Sequence, residues 1–206
     1  MNIIRDFIPS GKINRPGRSN PMKYITIHET GNTANGATAK SHASYLKNLN
    51  SKVSWHYTVD DKEIYQHIPD NEDAFHAGDG SGPGNRKSIG IEICVNSDGD
   101  FGKACKNAAW LVRHLSACYS IPIENVVQHY RWNGKNCPKT LRARGWDGFI
   151  KMCKEETPVE DNNKPSPWAK EAWEKAVKKG ITDGTRPKDT ATREEVILML
   201  ARAGVI

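Results

Sequence analysis

Ser88-Ile89-Gly90-Ile91-Glu92-Ile93-Cys94-Val95 is the stretch that decides the fold. Ile89, Ile91, Ile93 and Val95 share one face and Gly90, Glu92 and Cys94 the other, which is the period-two alternation of a strand. The isoleucine-rich face marks it as buried. Glu92 interrupts that pattern: a carboxylate in the middle of an apolar strand is costly unless it is paired, protonated, or set opposite water or a metal. A salt-bridged or edge glutamate is the plain explanation, and a general base facing a metal is the functional one.

Two further strands supply candidates for that metal. In Lys23-Tyr24-Ile25-Thr26-Ile27-His28-Glu29-Thr30-Gly31, Ile25 and Ile27 share a face, Tyr24, Thr26 and His28 share the other, and a loop opens at Gly31. His28 therefore stands at a strand end, where a rigid scaffold commonly presents chemistry. Val126-Val127-Gln128-His129-Tyr130-Arg131-Trp132-Asn133-Gly134-Lys135-Asn136-Cys137-Pro138 begins β-branched, reaches His129, and returns through a polar loop to Cys137. Imidazole and thiolate are both good zinc ligands, and a catalytic zinc keeps three protein ligands with water in the fourth position. His28 is the candidate for the third.

The rest of the first three quarters builds a frame around these strands. Ala39, Ala43, Leu46 and Leu49 recur at helical spacing and predict a helix over 37–49. Ser54–Val59 and Glu63–Ile68 alternate on either side of Asp60-Asp61-Lys62 and predict a hairpin, with His56 on the face opposite Trp55, Tyr57 and Val59. Ala74-Phe75-His76-Ala77-Gly78 and the Gly-rich run to Asn85 predict an irregular loop, of the kind that often lines a binding site. Helices are expected over 103–119 and 142–156, and the Pro- and Gly-rich residues 1–22 are expected to run over the surface. The fold class is α/β, a mixed central β-sheet flanked by helices.

Composition narrows the class of protein. The 206 residues, 37% hydrophobic and 26% charged, describe a globular chain with a real core. No transmembrane run is present, and the start Met1-Asn2-Ile3-Ile4-Arg5-Asp6 lacks a secretory signal pattern, so residence in the cytoplasm is expected. The five cysteines are odd in number and not closely paired, which argues against a disulfide framework. The net charge of +6 comes from scattered Lys and Arg without a basic stripe or a nucleic-acid reader motif, so no nucleic-acid partner is expected.

The segments Ile25–Gly31, Ser54–Asp60, Ala74–Gly78, Ser88–Asn96 and Gln128–Pro138 together resemble, in order, the zinc-dependent N-acetylmuramoyl-L-alanine amidases. That group includes phage lysins, bacterial autolysins and peptidoglycan recognition proteins. The resemblance implies Zn2+ held by His28, His129 and Cys137, with Glu92 as proton acceptor and Lys135 stabilising the tetrahedral intermediate. It places His56 near the substrate groove but outside the ligand set, with a hydrogen-bonded structural histidine as the alternative. His76, in the Gly-rich loop, is the candidate for substrate contact, with anchoring of that loop as its alternative. The resemblance further implies a peptidoglycan substrate, cut between N-acetylmuramic acid and L-alanine of the stem peptide; the mildly basic surface, read from charge alone, also fits an anionic wall polymer. A phage or prophage endolysin is the expected role and an autolysin the alternative; a non-catalytic recognition module would typically lack the cysteine present here as Cys137.

The expected domains are a catalytic one over 1–156, a linker over 157–165 and a small helical one over 166–206. Ser166-Pro167-Trp168 reads as a helix start, Trp168, Ala172, Trp173, Ala176 and Val177 as its apolar stripe, and Thr192-Arg193-Glu194-Glu195 as a capping box. Gly180-Ile181-Thr182-Asp183-Gly184 and the capping box resemble one S-layer-homology repeat, which implies wall binding. A unit this small also points to docking or self-association.

Overall fold

The alternating segments at Tyr24–Glu29 and Ser88–Ile93 become neighbouring parallel strands in the interior of a six-stranded sheet. The computed structural model describes residues 1–155, 164–166, 168–185, 187 and 190–206. It divides into two units, Met1–Glu155 and Glu156–Ile206.

In the first unit the strands are β1 (Ile3–Arg5), β2 (Tyr24–Glu29), β3 (Tyr57–Val59), β4 (Ile64–Gln66), β5 (Ser88–Ile93) and β6 (Val126–Gln128). The helices are α1 (Ala39–Asn48), α2 (Pro83–Arg86), α3 (Phe101–Tyr119), α4 (Tyr130–Asn133), α5 (Lys139–Arg144) and α6 (Trp146–Lys154). The sheet order is β1-β4-β3-β5-β2-β6, and β3–β4 is an antiparallel pair in an otherwise parallel sheet. The mixed α/β architecture is thus present as the sequence implies.

One sheet face is apolar. Ile25, Ile27, Ile89, Ile91 and Ile93 are fully buried, in one cluster with Ala108, Leu111, Val112 and Leu115 of α3 and Phe149 of α6. Each large aliphatic side chain buried this way contributes about 1.5–3 kcal/mol. Helix α3 starts where Asp100 accepts a hydrogen bond from the Lys103 amide, and stops at Ser120, which adopts φ 53°. The register across β2 and β5 sets Ile27 beside Ile91 and His28 beside Glu92. Burying the isoleucines therefore puts the two polar residues together on the other face.

Four local expectations change. The arm of residues 1–22 contains β1, which pairs in parallel with β4; three residues at a sheet edge carry too short a pattern to read. The arm is also pinned by Arg15–Glu72 and Arg18–Asp73 ion pairs. The helix expected over 142–156 is two helices that turn at Gly145, and the Glu29 carboxylate caps the first by accepting from the Thr140 and Leu141 amides. The Gly-rich run to Asn85 contains the single turn α2, and the polar loop after His129 starts with the single turn α4.

In the second unit, α7 (Lys170–Lys178) and α8 (Arg193–Arg202) are the helices. Thr192 and Glu195 make both hydrogen bonds of a capping box. Trp168, Val196, Ile197, Leu198 and Leu200 are exposed. Pro167, most of the linker and residue 156 lie outside the described residues. Among the described residues, no helix is long and apolar enough to cross a membrane.

Candidate metal centre

His28 is the fifth residue of β2, and its neighbours Ile27 and Glu29 belong to the opposite face. His129 follows β6 directly, its amide donating to the Ile27 carbonyl, so two adjacent parallel strands deliver two imidazoles to one end of the sheet. Gly134, at φ +77°, closes α4 in the left-handed region that glycine adopts freely. The chain then doubles back, and the Tyr130 amide donates to the Cys137 carbonyl.

The result is a cluster of three buried donors, one atom each from His28, His129 and Cys137, all within 4.8 Å of one another. Cys137 Sγ lies 3.9 Å from His28 Nδ1, and Glu92 Oε1 lies 3.9 Å from that same nitrogen. The outer nitrogens are occupied elsewhere. His28 Nε2 is 3.0 Å from His76 Nδ1, and His129 Nε2 is 2.9 Å from the Ala77 carbonyl oxygen. His129 Nδ1 and Glu92 Oε2 are buried and have no hydrogen-bond partner.

The electrostatics fit a cation. Burial holds His28 and His129 well toward the neutral imidazole, and neighbouring histidines and Lys135 push His28 further the same way. Neutral imidazole is the metal-binding form. Burial pushes the Cys137 thiol up to about 11 and the Glu92 carboxyl up to about 8, with Lys135 opposing both. Two neutral nitrogens ready to bind, together with a thiol and a carboxyl short of positive charge, form a donor set that a divalent ion completes. Orphaned buried nitrogen and oxygen atoms point the same way.

The cluster opens into a cleft of about 590 Å³ lined by Lys52, Trp55, Phe75, Glu92, Asn133 and Lys135, among others. Lys135 is exposed and sits on its rim. His76 lines the cleft too, but is only 8% exposed. His56 is fully buried, with Nδ1 accepting from the Gly90 amide and Nε2 bonded to the Glu72 carbonyl, so neither ring nitrogen is free for a substrate.

Residues without any sequence signal complete the surroundings. Asn85 Oδ1 accepts from the amides of both His76 and Ala77, and the Asp79 carboxylate accepts from Gly84 and Asn85. These contacts join positions five to nine residues apart across a loop and the single turn α2, where neither spacing nor alternation marks them.

Fold and cluster together define a mixed-sheet α/β domain whose buried His/His/Cys set is compatible with a metal ion. Residues 18–140 match the family described as N-acetylmuramoyl-L-alanine amidase, and the chain belongs to that family. It is 58% identical over 149 residues to N-acetylmuramoyl-L-alanine amidase XlyA of Bacillus subtilis, a match covering 72% of this chain and 50% of that relative. It thus spans about half of that relative's length. The solved catalytic domain of XlyA superposes with a TM-score of 0.72 at 57% identity, covering 74% of this chain and 99% of that one. A structure described as a mutant endolysin from Bacillus subtilis does so at 0.73 and 57%, with the same two coverages.

Proposed function

We propose that the chain is a zinc-dependent N-acetylmuramoyl-L-alanine amidase that cuts peptidoglycan between the lactyl group of N-acetylmuramic acid and L-alanine. The observation that carries this reading is the buried His28–His129–Cys137 cluster beside an unpartnered Glu92, in a chain of the amidase family. His28 Nδ1, His129 Nδ1 and Cys137 Sγ would hold the ion. Bound there, zinc would supply an activated water, a Lewis acid for the amide carbonyl, and a charge that favours ionised Glu92. Glu92 takes the proton of the attacking water and returns it to the departing L-alanine nitrogen. Lys135, on the cleft rim, offsets the negative charge that develops on the carbonyl oxygen. The cleft beside it takes the glycan-linked stem peptide.

The role in biology that fits is a phage or prophage endolysin made in the host cytoplasm, supported by the likeness to the Bacillus subtilis endolysin structure. The tail, whose α8 leaves Ile197 and Leu198 exposed, would bind wall polymers or a second copy. A chain shortened to residues 1–155 should then be retained less by purified cell walls at low salt.

The test is digestion of purified peptidoglycan by zinc-loaded and chelated protein, with new amino termini and new reducing ends assayed separately. Zinc-dependent release of L-alanine amino termini without reducing ends is expected. Binding to the polymer with neither product would assign a recognition module instead and remove the roles given to Glu92 and Lys135.

A further inference from the structure

The two imidazoles of the cluster are backed by two consecutive residues of one loop. His76 meets His28 Nε2 through its own Nδ1 at 3.0 Å, and the Ala77 carbonyl meets His129 Nε2 at 2.9 Å. That dipeptide is itself fixed, because both of its amides donate to Asn85 Oδ1 at 2.8 and 2.7 Å, and Asn85 is held in turn by Asp79. Space for the His76 ring comes from Gly90 in the middle of β5, where an added Cβ would fall 2.7 Å from His76 Cγ. Glycine weakens a strand interior, so its presence here answers to the close approach of that ring.

We infer that His76 is a positioning residue for the metal and that the 76–85 loop is a single device orienting both histidine ligands. It rests on the zinc reading of the cluster. When His28 Nε2–H donates to His76 Nδ1, the proton is kept on the outer nitrogen and the Nδ1 lone pair faces Cys137 and the centre. The Ala77 carbonyl, which can only accept, places the proton on His129 Nε2 in the same way and leaves the orphaned Nδ1 facing inward. Each ligand thus reaches the ion with its tautomer and ring plane already set, which lowers the ordering cost of binding. His76 acts through His28 and contacts neither ion nor substrate in this role.

Zinc affinity, measured by competition with a chromophoric chelator, tests this together with the visible spectrum of the cobalt-substituted protein. His76→Ala is expected to bind zinc about 10–100-fold more weakly, the usual loss when such an outer partner is removed. Its cobalt bands should also shift. His76→Asn puts an acceptor oxygen where Nδ1 stands and should recover most of the affinity. Gly90→Ala leaves every donor in place but crowds the His76 ring, and should weaken zinc in the same direction. Circular dichroism of each metal-free variant separates lost binding from lost folding. A folded His76→Ala protein with wild-type zinc affinity and unchanged cobalt bands would overturn the inference, as would a His76→Asn protein no better than the alanine variant. If wild-type protein takes up no zinc at all, the metal reading fails first and this inference fails with it.

Discussion

The two faces of the central sheet are built from alternate residues of the same strands and obey different rules. On the α3 side, Ile25, Ile27, Ile89, Ile91 and Ile93 meet Leu111, Val112, Leu115 and Phe149 in a layer of apolar atoms. Volume and pattern are what matter there, and volume-conserving changes cost little. On the opposite side, Thr26 bonds Ser88 at 2.6 Å, Trp132 donates to Thr26, Thr58 meets His67, and His56 bridges two backbone groups. Each of those side chains makes at least one definite hydrogen bond, and the buried atoms left without a partner include His129 Nδ1 and Glu92 Oε2 beside the cluster as well as His67 Nδ1.

The sharpest break in this comparison is Cys137→Ser. It changes one atom on the polar side and should abolish stoichiometric zinc and lower peptidoglycan hydrolysis by roughly 10³-fold, since a Lewis acid contributes several kcal/mol to the barrier. Full zinc and full activity in that variant would remove Cys137 from the ligand set. Lys135→Ala should come next. Zinc content should stay at wild type while kcat drops about 10²-fold, the scale of a lost oxyanion partner.

The third prediction concerns pH. Burial holds His67 at about 3 and lowers His56, so the folded protein keeps both neutral while the unfolded chain takes up protons near 6.5. Below that pH the unfolded state binds more protons, so stability is full above about 6.5 and declines as pH falls; for His67 the decline runs on to about 3. For His67 the slope within that window is about 1.4 kcal/mol per pH unit. Urea midpoints of metal-free protein at several pH values should show it, and His67→Gln should flatten the curve. The smallest effect is expected on the apolar side. Ile91→Val should cost about 1 kcal/mol of stability and leave zinc affinity unchanged. A change in zinc affinity from that variant would mean the two faces are coupled.

What was legible in the sequence follows the same division. Isoleucines at every second position of Ser88–Val95 and of Lys23–Gly31 specify strands and their buried face, because alternation is local and survives without knowledge of partners. Glu92 stood out by violating that pattern, and His28, His129 and Cys137 through motif resemblance. The edge strand Ile3–Arg5 was not legible, since its place depends on pairing with Ile64–Gln66, about sixty residues away. Nor was the role of Asn85, whose partners are backbone amides in a loop without period.

By itself the sequence determined the α/β class and the strand faces, which follow from short-range spacing, and the residue types able to hold a metal, which follow from side-chain chemistry and motif resemblance. Tertiary structure alone decided that β2, β5 and β6 lie side by side, that His28 lands opposite Glu92, and which nitrogen of each imidazole faces the cluster. Parallel strands are joined by long crossovers, so their order and register are written in no local stretch of chain. They are selected only when the apolar face is buried as a whole.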